Sequence, residues 1–368
     1  MCDYRTMKDP EQWADVGERV RESRLAASLS QEELARALGL DRTMVAKIEL
    51  GTRRIDALEL IRLSDVLRVP LDYLISSPPP VISRRAQLSE DTATDAGRQA
   101  FRLSVGLSAW LADIRQLIEV GLLAVPAIKR YPKPVTDVTS ARMAALWVRR
   151  TVGLGDSPIE SMISVSEQVG QLVAVVDLPG DGASAVDDDL AAAVVSRHAD
   201  PGRRRATAAH ELGHLIIGDE YSTDLGVSAP RGDREAVVDA FAAELLIPTS
   251  VFSTLDSDKV REPLVRIAAQ YRASWSLTVR QACVAGFVTR DTANLLKRRN
   301  PPEAELKAAI GWKPQPDLNE IRVPPSYLDA VYEAYQRRLV TTSRALEMMR
   351  GAVRADGLPD LEEGDSAP

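Results

Sequence analysis

Three consecutive prolines, Pro78, Pro79 and Pro80, follow Ser76 and Ser77 and divide the chain. No helix runs through them, because each ring removes an amide donor and clashes with the preceding turn. A proline run instead makes a semi-rigid spacer. A domain boundary is therefore expected there. At 368 residues the chain is also too long for one ordinary core, so two or three domains are expected.

Ahead of the break, residues 13–75 read as a compact set of short helices. The first runs from Trp13 to Leu25, with Val16, Val20 and Leu25 near one face. Ser30 followed three residues later by Glu33 is a capping-box pattern that satisfies the free N–H groups of a new helix. That helix stops at Gly39. Asp41 is placed to cap the next, Arg42 to Leu50, which stops at Gly51. Asp56 opens a fourth helix ending near Leu67, and Pro70 starts a last turn through Leu74.

Beyond the break, residues 84–125 read as a connector or packing helix with two apolar rows: Phe101, Val105, Ala109 and Ala112, and Leu103, Leu107, Trp110 and Ile114. Arg142–Val152 and Ile159–Gln168 are further helices. The pattern then changes. Leu172–Val176 is β-branched and bounded by glycine and proline, so it is a strand, and Ala191–Ser196 is a second. A small sheet thus precedes a helix bearing His210-Glu211-Leu212-Gly213-His214. After it come helices at Arg234–Leu246 (ended by Pro248), across 258–298 with a break near Ser274, and a last pair over Tyr327–Arg350, with a loop at Pro314–Pro325. The tail after Pro359 is acidic and expected to be disordered. The fold class is mainly α with a small β-sheet behind an all-α N-terminal unit. The expected units are 1–76, a linker and connector helix at 77–135, a site-bearing domain at 136–300 and a helical region at 301–368.

Composition narrows the function. A net charge of −7 argues against a protein that coats nucleic acid, since bulk DNA affinity comes from neutralising phosphates; a small local reader stays possible. No run of eighteen apolar residues spans a membrane, and the first residues lack the apolar core of a signal peptide. Cys2 and Cys283 do not suggest a disulfide or a metal site. A cytoplasmic protein with no membrane partner is expected.

His210 and His214 are four residues apart, so on a helix their imidazoles lie one turn apart on one face. Neutral imidazoles suit zinc, and two of them leave room for a third protein ligand and a water. Glu211 beside them can take a proton from that water as general base. The chain has only 3 histidines, and two are in this motif. The third, His198, reads as polar loop surface. Tyr221 is a candidate oxyanion donor that the sequence does not establish. Candidates for the third ligand are Asp219, Glu220, Asp224, Asp233, Glu235, Asp239 and Glu244. A second helix holds a ligand more rigidly than a loop, which favours the helix carrying Glu235, Asp239 and Glu244. Asp239 shares a face with Glu235, whereas Glu244 is out of phase. Glu235 is therefore the preferred ligand. Asp239 either accepts the other N–H of a ligand histidine or is a solvated helix residue. Strand 191–196 is a candidate to take an extended peptide by strand addition.

These residues carry a resemblance. Pro201 through Leu215, followed by Glu235 and by Phe241-Ala242-Ala243-Glu244-Leu245-Leu246-Ile247-Pro248, resembles the ImmA/IrrE family of metallopeptidases, of the gluzincin type. In that family the third ligand is a glutamate thirteen residues before the proline, a place that Glu235 fills. Ala206-Thr207-Ala208-Ala209 departs from the family's usual Phe-Thr-Leu-Ala, and Asp239 replaces a common asparagine. The resemblance implies regulated cleavage of helix-turn-helix repressors that control stress or mobile-element genes.

Ser30 through Gly39, with Asp41 through Gly51, is similar to the XRE (lambda-repressor-like) helix-turn-helix family, whose second helix enters the major groove. Arg42, Thr43 and Lys47 are then the expected base or phosphate contacts, and Gln31, Arg53 and Arg54 hold phosphates. Together these point to a DNA-binding endopeptidase using Zn2+ (Mn2+ or another divalent ion also fits three such ligands), with DNA and a helix-turn-helix repressor as partners and a homodimer as a possible form. The alternative is a transcription regulator whose peptidase-like domain senses a signal or drives oligomerisation.

Overall fold

The computed structural model of the chain describes residues 13–75, 81–84, 94–218, 231–255, 259–312, 317–318 and 320–359. The Ser76–Pro80 break, Tyr221, Asp219, Glu220, Asp224, Cys2 and the acidic tail after Pro359 lie outside them.

The N-terminal unit is five helices: α1 (Trp13–Ala26), α2 (Gln31–Leu38), α3 (Arg42–Glu49), α4 (Ala57–Leu67) and α5 (Leu71–Ile75). Val16, Val20, Leu34, Val45, Ile48, Leu63 and Leu74 form its buried centre. The capping box is present: the Glu33 amide donates to Ser30 Oγ at 3.2 Å, and the Ser30 amide donates to Glu33 Oε2 at 2.7 Å. These bonds hold the Glu33 carboxyl below its usual range. Asp41 takes the N-cap conformation of α3 but makes no side-chain cap bond, so α3 starts without the carboxylate cap that the sequence suggests.

A four-stranded sheet organises the rest, with β1 (Val81–Arg84), β2 (Gln171–Val176), β3 (Gly182–Asp187) and β4 (Leu190–Ser196) in the order β1-β3-β4-β2. β2 and β4 pair in parallel, while β3 is antiparallel to both of its neighbours. Both faces of β2 and β4 are buried, which explains their near-continuous apolar sequences. The sequence reading found β2 and β4 only. β3 is built mostly from small residues, and β1 offers only Val81 and Ile82 beside the prolines, so neither shows the longer β-branched run that marks a strand.

One face of the sheet is covered by α6 (Asp95–Glu119), α15 (Pro325–Gln336) and α16 (Thr342–Met348), named after the intervening α7 (Val138–Thr151), α8 (Met162–Gln168), α9 (Pro201–Ile217), α10 (Arg231–Leu246), α11 (Arg261–Gln270), α12 (Trp275–Val284), α13 (Arg290–Lys297) and α14 (Glu303–Ile310). α6 serves two bodies with its two rows. Phe101 and Val105 enter the core of the N-terminal unit, while Leu103, Leu107, Trp110 and Ile114 pack on the sheet. Trp110 Nε1 donates to the Leu172 carbonyl at 3.1 Å. The C-terminal pair is tied to the same layer by Arg344 and Arg350, which clasp the buried Asp113 at 2.5 and 2.7 Å. Burial pushes the Asp113 carboxyl upward, against the pull of both arginines. The connector helix and the C-terminal helices are thus layers of the sheet domain.

The other face of the sheet carries α7, α8, α9 and α10, through Val173, Val175, Ala193 and Val195 on the sheet and Ala208, Leu212, Leu245 and Ile247 on the helical side. The α7 start lies four residues ahead of the sequence expectation, where Asp137 caps it through the Ser140 amide at 2.7 Å. Among the described residues no helix is long and apolar enough to cross a membrane.

Candidate metal centre

The site is built on α9, which lies between the sheet and α10. Its close approach to α10 depends on Gly213: a Cβ there would sit 2.9 Å from Val238 Cγ1 and 3.0 Å from Phe241 Cδ1. The N-terminal half is anchored by Arg205, fully buried, which donates to Asp317 Oδ2 at 2.6 Å and to the Ile159 carbonyl at 3.1 Å. Burial lowers the Arg205 guanidinium from its usual value, and Asp317 opposes that shift.

His210, Glu211 and His214 are all essentially buried. His210 Nε2 is 3.2 Å from His214 Nε2 and 3.1 Å from Glu235 Oε2, and the ligand atoms of the three residues lie within 4.8 Å of one another. Asp239 Oδ1 is 3.0 Å from His210 Nδ1. If Nδ1 donates its proton to that carboxylate, Nε2 turns its lone pair toward His214 Nε2 and Glu235 Oε2. A cation resolves that arrangement. Tetrahedral zinc with bonds of about 2.0–2.1 Å spaces its donors about 3.3 Å apart, close to the separations here. The donor set of two imidazoles and one carboxylate therefore fits a divalent ion. Glu235 and Asp239 each leave 41% of the side chain exposed, so the centre opens to solvent on the α10 side.

Glu211 points toward the sheet instead. Its Oε2 accepts from Ser184 Oγ on β3 at 2.7 Å, while Oε1 is buried with no hydrogen-bond partner among the described residues. A buried carboxylate oxygen left without a donor is costly unless a ligand or water serves it. Ser184 escaped the sequence reading. Its strand was not recognised, and a serine among alanines carries no local signal. Gly182 on the same strand lets α9 lie close, since a Cβ there would meet Thr207 Cγ2 at 2.5 Å.

Glu244 lies away from the centre. It accepts from Arg142 Nη1 at 2.5 Å, Gln281 Nε2 at 3.2 Å and the Thr249 amide at 2.8 Å, locking α7, α10 and α12 together. His198 is exposed and 2.8 Å from Asp177 Oδ1. Strand 191–196 has no free edge for a peptide: β4 is bonded to β3 on one side and β2 on the other.

In the N-terminal unit, Arg42, Thr43 and Lys47 are exposed on α3, as is Arg54 after it, while Val45 and Ile48 are buried. Gln31 and Arg53 are half-buried and already engaged. Gln31 Nε2 donates to Glu49 Oε2 at 2.8 Å, and Arg53 forks onto both oxygens of Glu59 at 2.6 and 2.8 Å. That fork lowers the Glu59 carboxyl and raises the Arg53 guanidinium.

An all-α head joined to a sheet domain with a two-histidine, one-glutamate centre defines a helix-turn-helix protein with a metallopeptidase-like domain. Comparison with known families makes this particular. Residues 20–74 match the family model described as Helix-turn-helix, and residues 192–281 match the IrrE N-terminal-like domain of the M78 peptidases, which supports an XRE-type helix-turn-helix fused to an ImmA/IrrE-like domain. The head is 44% identical over 63 residues to an uncharacterized transcriptional regulator in the ATPase CF(0) region of Rhodospirillum rubrum, covering 17% of this chain and 58% of that one. It is 36% identical over 64 residues to an uncharacterized HTH-type transcriptional regulator of Sinorhizobium medicae (strain WSM419), covering 17% of this chain and 46% of that one. The chain thus spans about half the length of the curated relatives it matches. No solved structure matches it significantly.

Proposed function

We infer that the chain is a DNA-tethered, metal-dependent endopeptidase that regulates transcription by cutting a repressor or regulator protein. One observation carries the reading: His210, His214 and Glu235 converge at the helix that also carries a buried Glu211 with one oxygen left without a donor. His210, His214 and Glu235 would hold the ion, zinc or another divalent metal, which when bound polarises a peptide carbonyl and acidifies a water. Glu211 takes the water's proton on Oε1 and returns it to the leaving amine. Ser184 fixes the carboxylate through Oε2, and Asp239 fixes the His210 tautomer. Arg42, Thr43 and Lys47 bring the enzyme to DNA, where a helix-turn-helix repressor is a protein within reach.

The purified full chain, with zinc or manganese, is incubated with the helix-turn-helix proteins encoded beside it. Cleavage that chelator abolishes supports the reading. Glu211→Gln should keep the metal and slow cleavage by about 10²–10⁴-fold; unchanged cleavage removes Glu211 as the base. Specific DNA binding with no cleavage of any neighbour would favour a regulator whose peptidase-like domain serves as sensor or oligomerisation platform.

A further inference from the structure

The sheet has two outer edges, and the one beside the site is already taken. β3 is the strand that touches Glu211, through Ser184. Its outer side is paired with β1, a segment from between the head and α6. Ser83 stands directly opposite Ser184, so the β1 backbone runs one strand spacing, about 4.8 Å, from the strand that holds the general base. β1 also lies against α9, the helix of the site. The pairing is slight. It has three registered pairs and an irregularity between Val81 and Ser83, against six regular pairs on each side of β4.

An extended peptide gains main-chain hydrogen bonds by adding to a sheet edge. We propose that β1 is a self-docked strand holding the place of the substrate: an extended peptide binds antiparallel to β3 beside Glu211 only when β1 leaves. The inference rests on the peptidase reading for its consequence, cleavage, but its binding step does not need catalysis. β1 links the head to α6, so its departure is a motion that the state of the head can favour or oppose. The short, bulged ladder is what makes exchange feasible: a long regular pairing would be permanent.

The decisive measurement is binding. A fluorescein-labelled peptide with the sequence of residues 79–86 is titrated, by anisotropy, against the full chain carrying Glu211→Gln, with and without Ser83→Pro. Proline removes an amide donor from the ladder and undocks β1. The peptide should bind the Ser83→Pro chain at least about tenfold more tightly, because the fraction of open edge multiplies the affinity. A second chain with Val81, Ile82 and Ser83 all changed to glycine weakens β1 without proline and should behave alike; circular dichroism checks that both fold. Equal affinities, or no binding to any folded variant, overturn the proposal. In the Glu211 background Ser83→Pro should also raise cleavage of the target by at least about tenfold. Tighter peptide binding with no cleavage by any variant would remove the peptidase reading and leave the edge site standing. Cleavage by the unmodified chain with no gain in peptide affinity would do the reverse.

Discussion

The head and the metal centre treat polar groups in opposite ways. In the head, charges are satisfied internally: Arg24 forks onto Glu49 at 2.5 and 3.1 Å, Gln31 joins the same carboxylate, and Arg53 is forked by Glu59. In the centre, atoms of metal-ligand type are gathered together. Two imidazole Nε2 atoms and a carboxylate converge, and Glu211 is buried with half its carboxylate unserved. Internal satisfaction stabilises a fold; ligand-type atoms converging near a half-served buried carboxylate anticipate a ligand. The comparison separates structural charge from functional charge, and it can be broken at either end.

The largest effect is expected at the centre. His214→Ala removes one of the three proposed ligands, so metal measured by inductively coupled plasma mass spectrometry should fall from one equivalent to near zero, and cleavage with it. DNA binding by the same sample should persist. Retained metal would mean that the buried histidines are structural after all. Next comes the head. Arg24→Ala leaves Glu49 buried without its main partner, and breaking such a pair costs about 3–5 kcal/mol. Thermal unfolding followed by loss of DNA binding should show a destabilised head, while metal content stays near one equivalent. A parallel loss of metal would show that head and sheet unfold as one unit through α6, whose Phe101 and Val105 sit in the head's core.

A smaller effect is expected where the centre is supported rather than formed. Asp239→Ala removes the acceptor on His210 Nδ1, and losses of such supports weaken metal affinity by about 10–100-fold. Competition with a zinc chelator reads it directly; an unchanged affinity would return Asp239 to the status of a solvated helix residue.

These residues differ in how visible they were before the structure. The closeness of His210 and His214 was legible because a helix turns spacing into geometry: four residues along the chain is one turn in space. Glu235 was legible because it shares a phase with Asp239 and not with Glu244. Ser184 was not, since its contact with Glu211 spans 27 residues and depends on a strand of small residues. At the α3 start the boundary was legible but the cap bond was not: Asp41 has the right type and backbone for a cap, yet its side chain makes no cap bond. The engagement of Gln31 was hidden as well, because its partner Glu49 lies 18 residues away on another helix. Local rules found elements and the residues that cluster on α9 and α10; pairings set by tertiary packing needed the fold.

The same distinction ranks the DNA contacts, where the smallest effect is expected. Lys47 is exposed on α3 with its charge available, so Lys47→Ala should weaken binding to a fragment selected from a random-sequence library and lower the steepness of its salt dependence by about 0.9. Arg53 presents the same formal charge, but Glu59 neutralises it at bonding distance. Releasing Arg53 to a phosphate would leave Glu59, whose carboxyl the pair holds below its usual range, facing the DNA backbone. Arg53→Ala should therefore change the salt slope little and affinity less than Lys47→Ala does. A slope that falls as far for Arg53 as for Lys47 would mean that the fork opens on DNA, and that internal pairing in the head does not mark a charge as structural.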